Sequence, residues 1–169
     1  MQIRITDKLR KALSLKASDL ESPTDDTTVM GCWYANLFTL ERRKSIIFVN
    51  EKTLFSFVLI GLKKSNLDII DEAFKMGLAQ ALQVNGFHDN EIAQLISDIG
   101  NISFTKTTNK SAIGSMVDLL YIFESFLYNS DNELDEIIRK LNMVPHVKRD
   151  PSFAVHAVRN LLVQAQPKM

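Results

Sequence analysis

Ile3 and Ile5 alternate with Gln2 and Arg4, a period of two that predicts a short first strand. Asp7 reads as the cap of a helix reaching about Lys16, with Leu9, Ala12 and Leu13 turned inward. Residues 18–29, Ser-Asp-Leu-Glu-Ser-Pro-Thr-Asp-Asp-Thr-Thr-Val, are polar and turn-forming and predict a surface loop. Three strand-like runs follow: Trp33 to Leu40, Ser45 to Asn50 and Thr53 to Ile60. The breaks between them, Glu41-Arg42-Arg43-Lys44 and Asn50-Glu51-Lys52, are too short for a parallel crossover, so the runs should form an antiparallel meander. The third run is apolar on both alternating faces, the pattern of a central strand covered on both sides.

After Gly61 the period lengthens. Leu67, Ile70, Phe74, Leu78, Ala81 and Leu82 fall at helical spacing between Ser65, a candidate N-cap, and the stop signal Asn85-Gly86. Ile92, Leu95, Ile96 and Ile99 predict a second helix ending at Gly100, and Ile102 to Thr107 returns as a last strand. Ser111 opens a helix through about Tyr128 that is apolar around most of its circumference, which predicts a central position. Leu134, Ile137, Ile138 and Leu141 mark an amphipathic helix. Asp150-Pro151 reads as the start of a last one, with Pro at its first position. The expectation is a single α+β domain over residues 1–169. An antiparallel meander of about four to five strands would pack against about five to six helices, with the helix near 111–128 at the centre.

The 169 residues suffice to bury a core without disulfides or metal, and 46% hydrophobic with 24% charged residues argues against disorder. Twenty Lys+Arg balance twenty Asp+Glu, so binding to nucleic acid would have to rest on a local patch. Cys32 is the only cysteine and has no His nearby in sequence, which suits a small buried hydrophobe in a reducing compartment. The N-terminus has no apolar signal-peptide core. The run Leu54 to Leu62 is too short to span a bilayer, and Ile113 to Tyr128 is interrupted by Asp118 and Glu124. A cytoplasmic protein without a membrane partner is expected.

Nucleotide loops, dinucleotide turns and the Gly-x-Ser-x-Gly elbow are missing, and His88, His146 and His156 lack metal-type spacing, so no cofactor or metal is expected. Two segments carry more promise. Arg42, Arg43 and Lys44, at a turn after Trp33, Tyr34 and Asn36, could hold phosphate with aromatics to stack on a base; an ordinary charged turn is the competing explanation. Lys106-Thr107-Thr108-Asn109-Lys110-Ser111 feeds the long helix, and a helix start offers free N–H groups and a positive dipole end to an anion. Along that helix Ser111, Ser115, Asp118, Tyr121, Ser125 and Tyr128 form one polar stripe, which is equally the pattern of a solvated face with Ser111 as N-cap. No His or Lys shares the helix face of Ser115 and Asp118, so a hydrolase triad has no base there.

The blocks Trp33-Tyr34-Ala35-Asn36-Leu37-Phe38-Thr39, Arg42-Arg43-Lys44, Asn50-Glu51-Lys52-Thr53-Leu54-Phe55-Ser56, Asn109-Lys110-Ser111 and Gly114-Ser115-Met116-Val117-Asp118 resemble, in this order, a bacterial domain-of-unknown-function family. The resemblance runs from the first strand to the long helix. It departs at Lys110, where the family shows Arg, and at Val117, where it shows Asn. The first change keeps the charge and loses the guanidinium fork; the second loses an amide. The family brings no activity with it. The resemblance implies that the cationic turn and the 109–118 segment belong to a shared pattern, and shared polar loop residues point to function more than shared core residues do.

The leading expectation is a binding module in which Arg42, Arg43, Lys44, Lys106, Asn109, Lys110 and Ser111 converge on an anionic partner, either nucleic acid or a phosphorylated ligand, with Ser115 and Asp118 alongside. A protein–protein or homo-oligomerisation module using an apolar patch on the last two helices is the second reading. An enzyme using Asp118 with Ser115 or Tyr121 is the third.

Overall fold

The N-terminal alternation becomes strand β1 (Gln2–Ile5) in a computed structural model that describes residues 1–63, 68–129 and 131–165. Helix α1 (Asp7–Ala12) follows. Its cap is Thr6, not Asp7: the Thr6 hydroxyl accepts the Leu9 N–H at 3.4 Å, and Asp7 sits in the first turn, bridged to Arg10 and Lys11. The left-handed Ser14 ends the helix short of Lys16, at φ 58°.

Strands β2 (Trp33–Leu40) and β3 (Arg43–Asn50) pair antiparallel over their whole length, closing on Leu40 opposite Arg43. Glu41 and Arg42 alone form the turn, both at positive φ (46° and 65°), as a two-residue hairpin twisted to match its strands requires. Arg43 and Lys44 are therefore strand residues. Strand β4 (Ser56–Leu59) is shorter than its apolar run. Asn50 Oδ1 accepts the Thr53 N–H at 3.0 Å and the Thr53 hydroxyl at 2.9 Å, and Leu54 is left-handed at φ 59°, so Thr53 and Leu54 belong to a built turn.

The meander β2-β3-β4 matches the expectation, but the sheet as a whole does not. β1 lies parallel to β2 and to β5 (Ser103–Lys106), giving a mixed sheet in the order β4-β3-β2-β1-β5. The stretch 6–32 between β1 and β2 is long enough for a parallel crossover, which local periodicity does not reveal. β4 is accordingly an edge strand, and β2 holds the centre.

Among the described residues five more α-helices belong to this α+β domain: α2 (Ile70–Val84), α3 (Asp89–Asp98), α4 (Lys110–Tyr128), α5 (Leu134–Leu141) and α6 (Ala154–Ala165). Ser65 and Leu67, assigned to the start of α2, lie outside the described residues. α6 begins at Ala154, so Pro151 stands in the preceding turn and not at the first helical position. On one sheet face Trp33, Phe48 and Phe57 meet Phe74 of α2, with ring centroids 5.1 to 5.4 Å apart. On the other, Phe38 meets Phe123 of α4 at 6.0 Å. Helix α4 is thus a covering helix and not the centre of the molecule. Ala112, Met116, Leu119 and Phe123 face the sheet, while Asp118, Tyr121, Ser125 and Tyr128 face solvent.

Each sheet edge is met at one point by another part of the chain. The buried Asn142, just past α5, accepts the Ser56 N–H at 2.7 Å and donates to the Ser56 carbonyl at 2.8 Å, standing in for a neighbouring strand. Beside β5, Glu21 makes an isolated parallel bridge with Thr105. Each such contact shortens the edge that another chain could pair with. No helix among the described residues is long and apolar enough to cross a membrane.

Candidate functional site

Alternation along the strands puts Arg4, Cys32, Tyr34 and Thr105 on the α4 side of the sheet, where the start of α4 meets the turn after β3. There Arg4 is the hub of a polar cluster. Its Nη1 donates to the Tyr34 hydroxyl at 3.1 Å and to Thr108 Oγ1 at 2.9 Å, and pairs with Glu51 Oε1 at 3.3 Å. Its Nη2 reaches the Cys32 sulfur at 3.5 Å. Burial works against the charge on Arg4, but the Tyr34 bond and the neighbouring Cys32 and Glu51 outweigh it and hold the pKa above the ordinary value. Burial pushes the Cys32 thiol up despite the guanidinium, which fits an inert thiol better than a nucleophile.

Asn109 ties α4 to this cluster. Its backbone N–H donates to the Tyr34 hydroxyl at 3.2 Å and its side-chain amide reaches Glu51 at 3.5 Å. Its Oδ1 accepts the N–H groups of Ser111 and Ala112 at 2.9 and 3.3 Å. Asn109, not Ser111, is therefore the N-cap, and it occupies two of the donors an anion at the helix start would use.

Beside the capped end lies an open cleft of about 580 Å³ lined by Leu54, Ser111, Ser115 and the segment 146–149. That segment, His146-Val147-Lys148-Arg149, is anchored by Arg149, whose Nη1 donates to the Glu51 and Lys52 carbonyls at 3.3 and 2.7 Å. His146 is partly buried, and its Nε2 is shielded from solvent without a hydrogen-bond partner. Burial, helped by Arg149, holds its pKa below the ordinary imidazole value, so it is mostly neutral near pH 7. Lys110 and Lys148 are exposed, and neither forms an ion pair among the described residues.

Of the residues singled out from the sequence, Asn109, Lys110, Ser111 and Ser115 come together here. Lys106 ends β5 in register with Ile5, on the opposite sheet face from Arg4 and Thr105. Asp118 is further along α4, on its exposed stripe with Tyr121, and not in the cleft. Arg42, Arg43 and Lys44 do not converge with the helix start. They occupy the tip of the β2–β3 hairpin, whereas Asn109 is tied to Tyr34 and Glu51 near its open end, roughly 20 Å away at about 3.3 Å per residue. Helix α4 runs the same way, from Glu51 at its start to Phe38 near the tip.

Arg4, Glu51 and the 146–149 segment carried no sequence expectation of this kind, whereas Trp33 and Tyr34, expected to stack on a base, are both buried, with the Tyr34 hydroxyl in this cluster. Arg4 read only as the polar alternate of a strand. A sharper signal was available in Val144-Pro145-His146-Val147-Lys148-Arg149-Asp150-Pro151, where two prolines bracket a His and two cations between helices. No group of three or more His, Cys, Asp or Glu among the described residues is placed to hold a metal.

The chain is thus a mixed-sheet α+β domain with a hydroxyl- and cation-lined cleft beside a capped helix. The chain belongs to the family described as a domain of unknown function, DUF6933, whose model matches residues 2–155. That match reaches past the cleft-lining segment 146–149. No curated protein matches the chain.

Proposed function

We propose that the protein is a binding module for a small phosphorylated ligand held in the cleft between α4 and the 146–149 segment. One observation carries the reading: two hydroxyls, His146 and the cations Lys148 and Arg149 line a single cleft, with Lys110 next to Ser111. Because Asn109 already caps α4, the anion would be held by side chains and not by the helix N-terminus. Arg149 is spent on backbone carbonyls, which fixes the segment and leaves Lys148 and Lys110 as the mobile charges. Glu51 links this segment to Arg4 and Asn109, so ligand binding would be felt in the polar cluster behind the cleft.

Nucleic acid is the weaker alternative, because cations at the hairpin tip and at the cleft do not form one continuous stripe. The enzyme reading loses ground with Asp118 and Tyr121 on the solvated face of α4. A cytoplasmic setting fits the single buried thiol. Calorimetry with pyrophosphate, a nucleoside monophosphate and a single-stranded oligonucleotide across a salt series tests the proposal. Saturable binding of a small phosphate, weakened at least tenfold by Lys110→Ala with Lys148→Ala, supports it. Binding confined to the oligonucleotide and dependent on Arg42 and Arg43 would transfer the function to the hairpin tip, and no salt-sensitive binding at all would end the proposal.

A further inference from the structure

On the far side of the sheet, α2 carries an apolar line that no other part of the described chain covers. Ile69 and Met76 are 48% and 74% exposed, large values for such side chains. With Ala73 and Val84 they recur at spacings of four, three and eight, which places them along one side of a helix. The line separates two grooves that meet at Met76 and Gln80. One, of about 790 Å³, runs against Ile92 and Ile96 of α3; the other, of about 520 Å³, runs against Leu59 of β4 and Leu134 of α5. The 15 residues of α2 give a trough roughly 22 Å long at about 1.5 Å per residue, room for about four turns of a second helix.

The charged residues that line this trough have one sign. Glu72 lines one groove and Asp89 and Asp135 the other, and no Lys, Arg or His lines either. An apolar floor between acidic rims matches an amphipathic helix with large apolar residues at i, i+3, i+4 and i+7 and flanking Lys or Arg. A second copy of this chain fits less well: its cation-bearing helices α1 (Lys8, Lys11) and α5 (Arg139, Lys140) already bury their apolar residues, Leu9 and Ile137, Ile138 and Leu141, in their own core.

We infer that the α2 trough docks a basic amphipathic helix of a partner protein. This stands apart from the phosphate cleft and does not depend on it. The test uses the full chain and two synthetic 16-residue helices, one of Leu and Lys and one of Leu and Glu in the same pattern, followed by fluorescence anisotropy at several salt concentrations. The expected result is saturable binding of the Leu/Lys helix, at least tenfold weaker binding of the Leu/Glu helix, and a loss of about tenfold in Met76→Ser. Glu72→Lys combined with Asp135→Lys, shown folded by circular dichroism, should reverse the preference. Equal binding of both helices, no binding, or indifference to Met76→Ser would overturn the inference. So would a dimer in sedimentation that Met76→Ser dissociates, since that would assign the trough to a second copy.

Discussion

Replacing Asn142 by Ala removes the side chain that closes the β4 edge. Asn142 and Ser56 are both fully buried, at 0% exposure, so water cannot take over the lost bonds without opening the structure. The Ser56 N–H loses its acceptor at 2.7 Å and the Ser56 carbonyl its donor at 2.8 Å. The Ile138 carbonyl loses a 3.0 Å bond but keeps the Asn142 backbone N–H at 3.2 Å, so it adds little. Each buried group left without a partner costs about 1–3 kcal/mol, and the space vacated by the carboxamide about 1 kcal/mol more. The sum, about 3–7 kcal/mol, is a large share of the ~5–15 kcal/mol that holds a domain together. Urea unfolding monitored through Trp33 should show the unfolding free energy falling by that amount, through a lower midpoint at an unchanged slope. Asn142→Asp should be no better, because it keeps the acceptor but turns a buried carboxylate toward two carbonyls. A loss below about 1 kcal/mol in Asn142→Ala would refute the reasoning, as it would mean water or backbone movement satisfies Ser56 at little cost.

Three further outcomes follow from other contacts. Gly77→Ala in α2 gains up to about 1 kcal/mol of helix propensity, but its Cβ would lie 2.7 Å from Leu59 Cδ2 and 2.8 Å from the Phe57 ring. Leu59 can rotate away, whereas Phe57 is held between Trp33, Phe48 and Phe74, so a net loss of about 1–2 kcal/mol is expected; a stabilised variant in thermal melts would contradict it. Asp26 is partly buried, which alone would raise its pKa, but bonds from Thr28 and the Gln2 backbone lower it on balance. Its stabilisation is present above about pH 4 and is lost as pH falls through the lower folded value, so Asp26→Asn should flatten the acid limb of stability against pH; an unchanged limb would count against this pairing. His146 has its pKa lowered by burial and then by Arg149, so the unfolded chain takes up the proton first and stability should decline as pH falls from about 6.5. His146→Gln should remove that decline in urea midpoints measured between pH 8 and pH 5, and an identical slope in both proteins would contradict it.

The parts of the fold that were legible in the sequence are those set by local periodicity. The β2–β3 hairpin, α3 and α5 follow from alternation, helical spacing and short breaks. Strand partnership is not local: nothing in Ile3 and Ile5 says that they lie between Trp33 and Phe104, and this is why the parallel half of the sheet was missed. β4 looked central because α2 covers one face and α5 closes its side, so an edge strand carries a core strand's composition. The site was half legible. Ser111 and Ser115 stood out as a polar line on an apolar helix, whereas Arg4, Glu51 and His146 reach the same region from three other segments and stand out only once the chain is folded. The cationic turn was misplaced for a geometric reason, since a long hairpin sets its tip a full strand length from its open end.

Amide shift mapping by heteronuclear NMR during a pyrophosphate titration tests the cleft residue by residue. The largest saturable shifts are expected at Leu54, at Lys110 through Ser115 and at His146 through Arg149, with smaller ones at Arg4 and Glu51 behind them. Shifts centred on Arg42, Arg43 and Lys44, or none that saturate, would contradict the assignment of the cleft as the binding site.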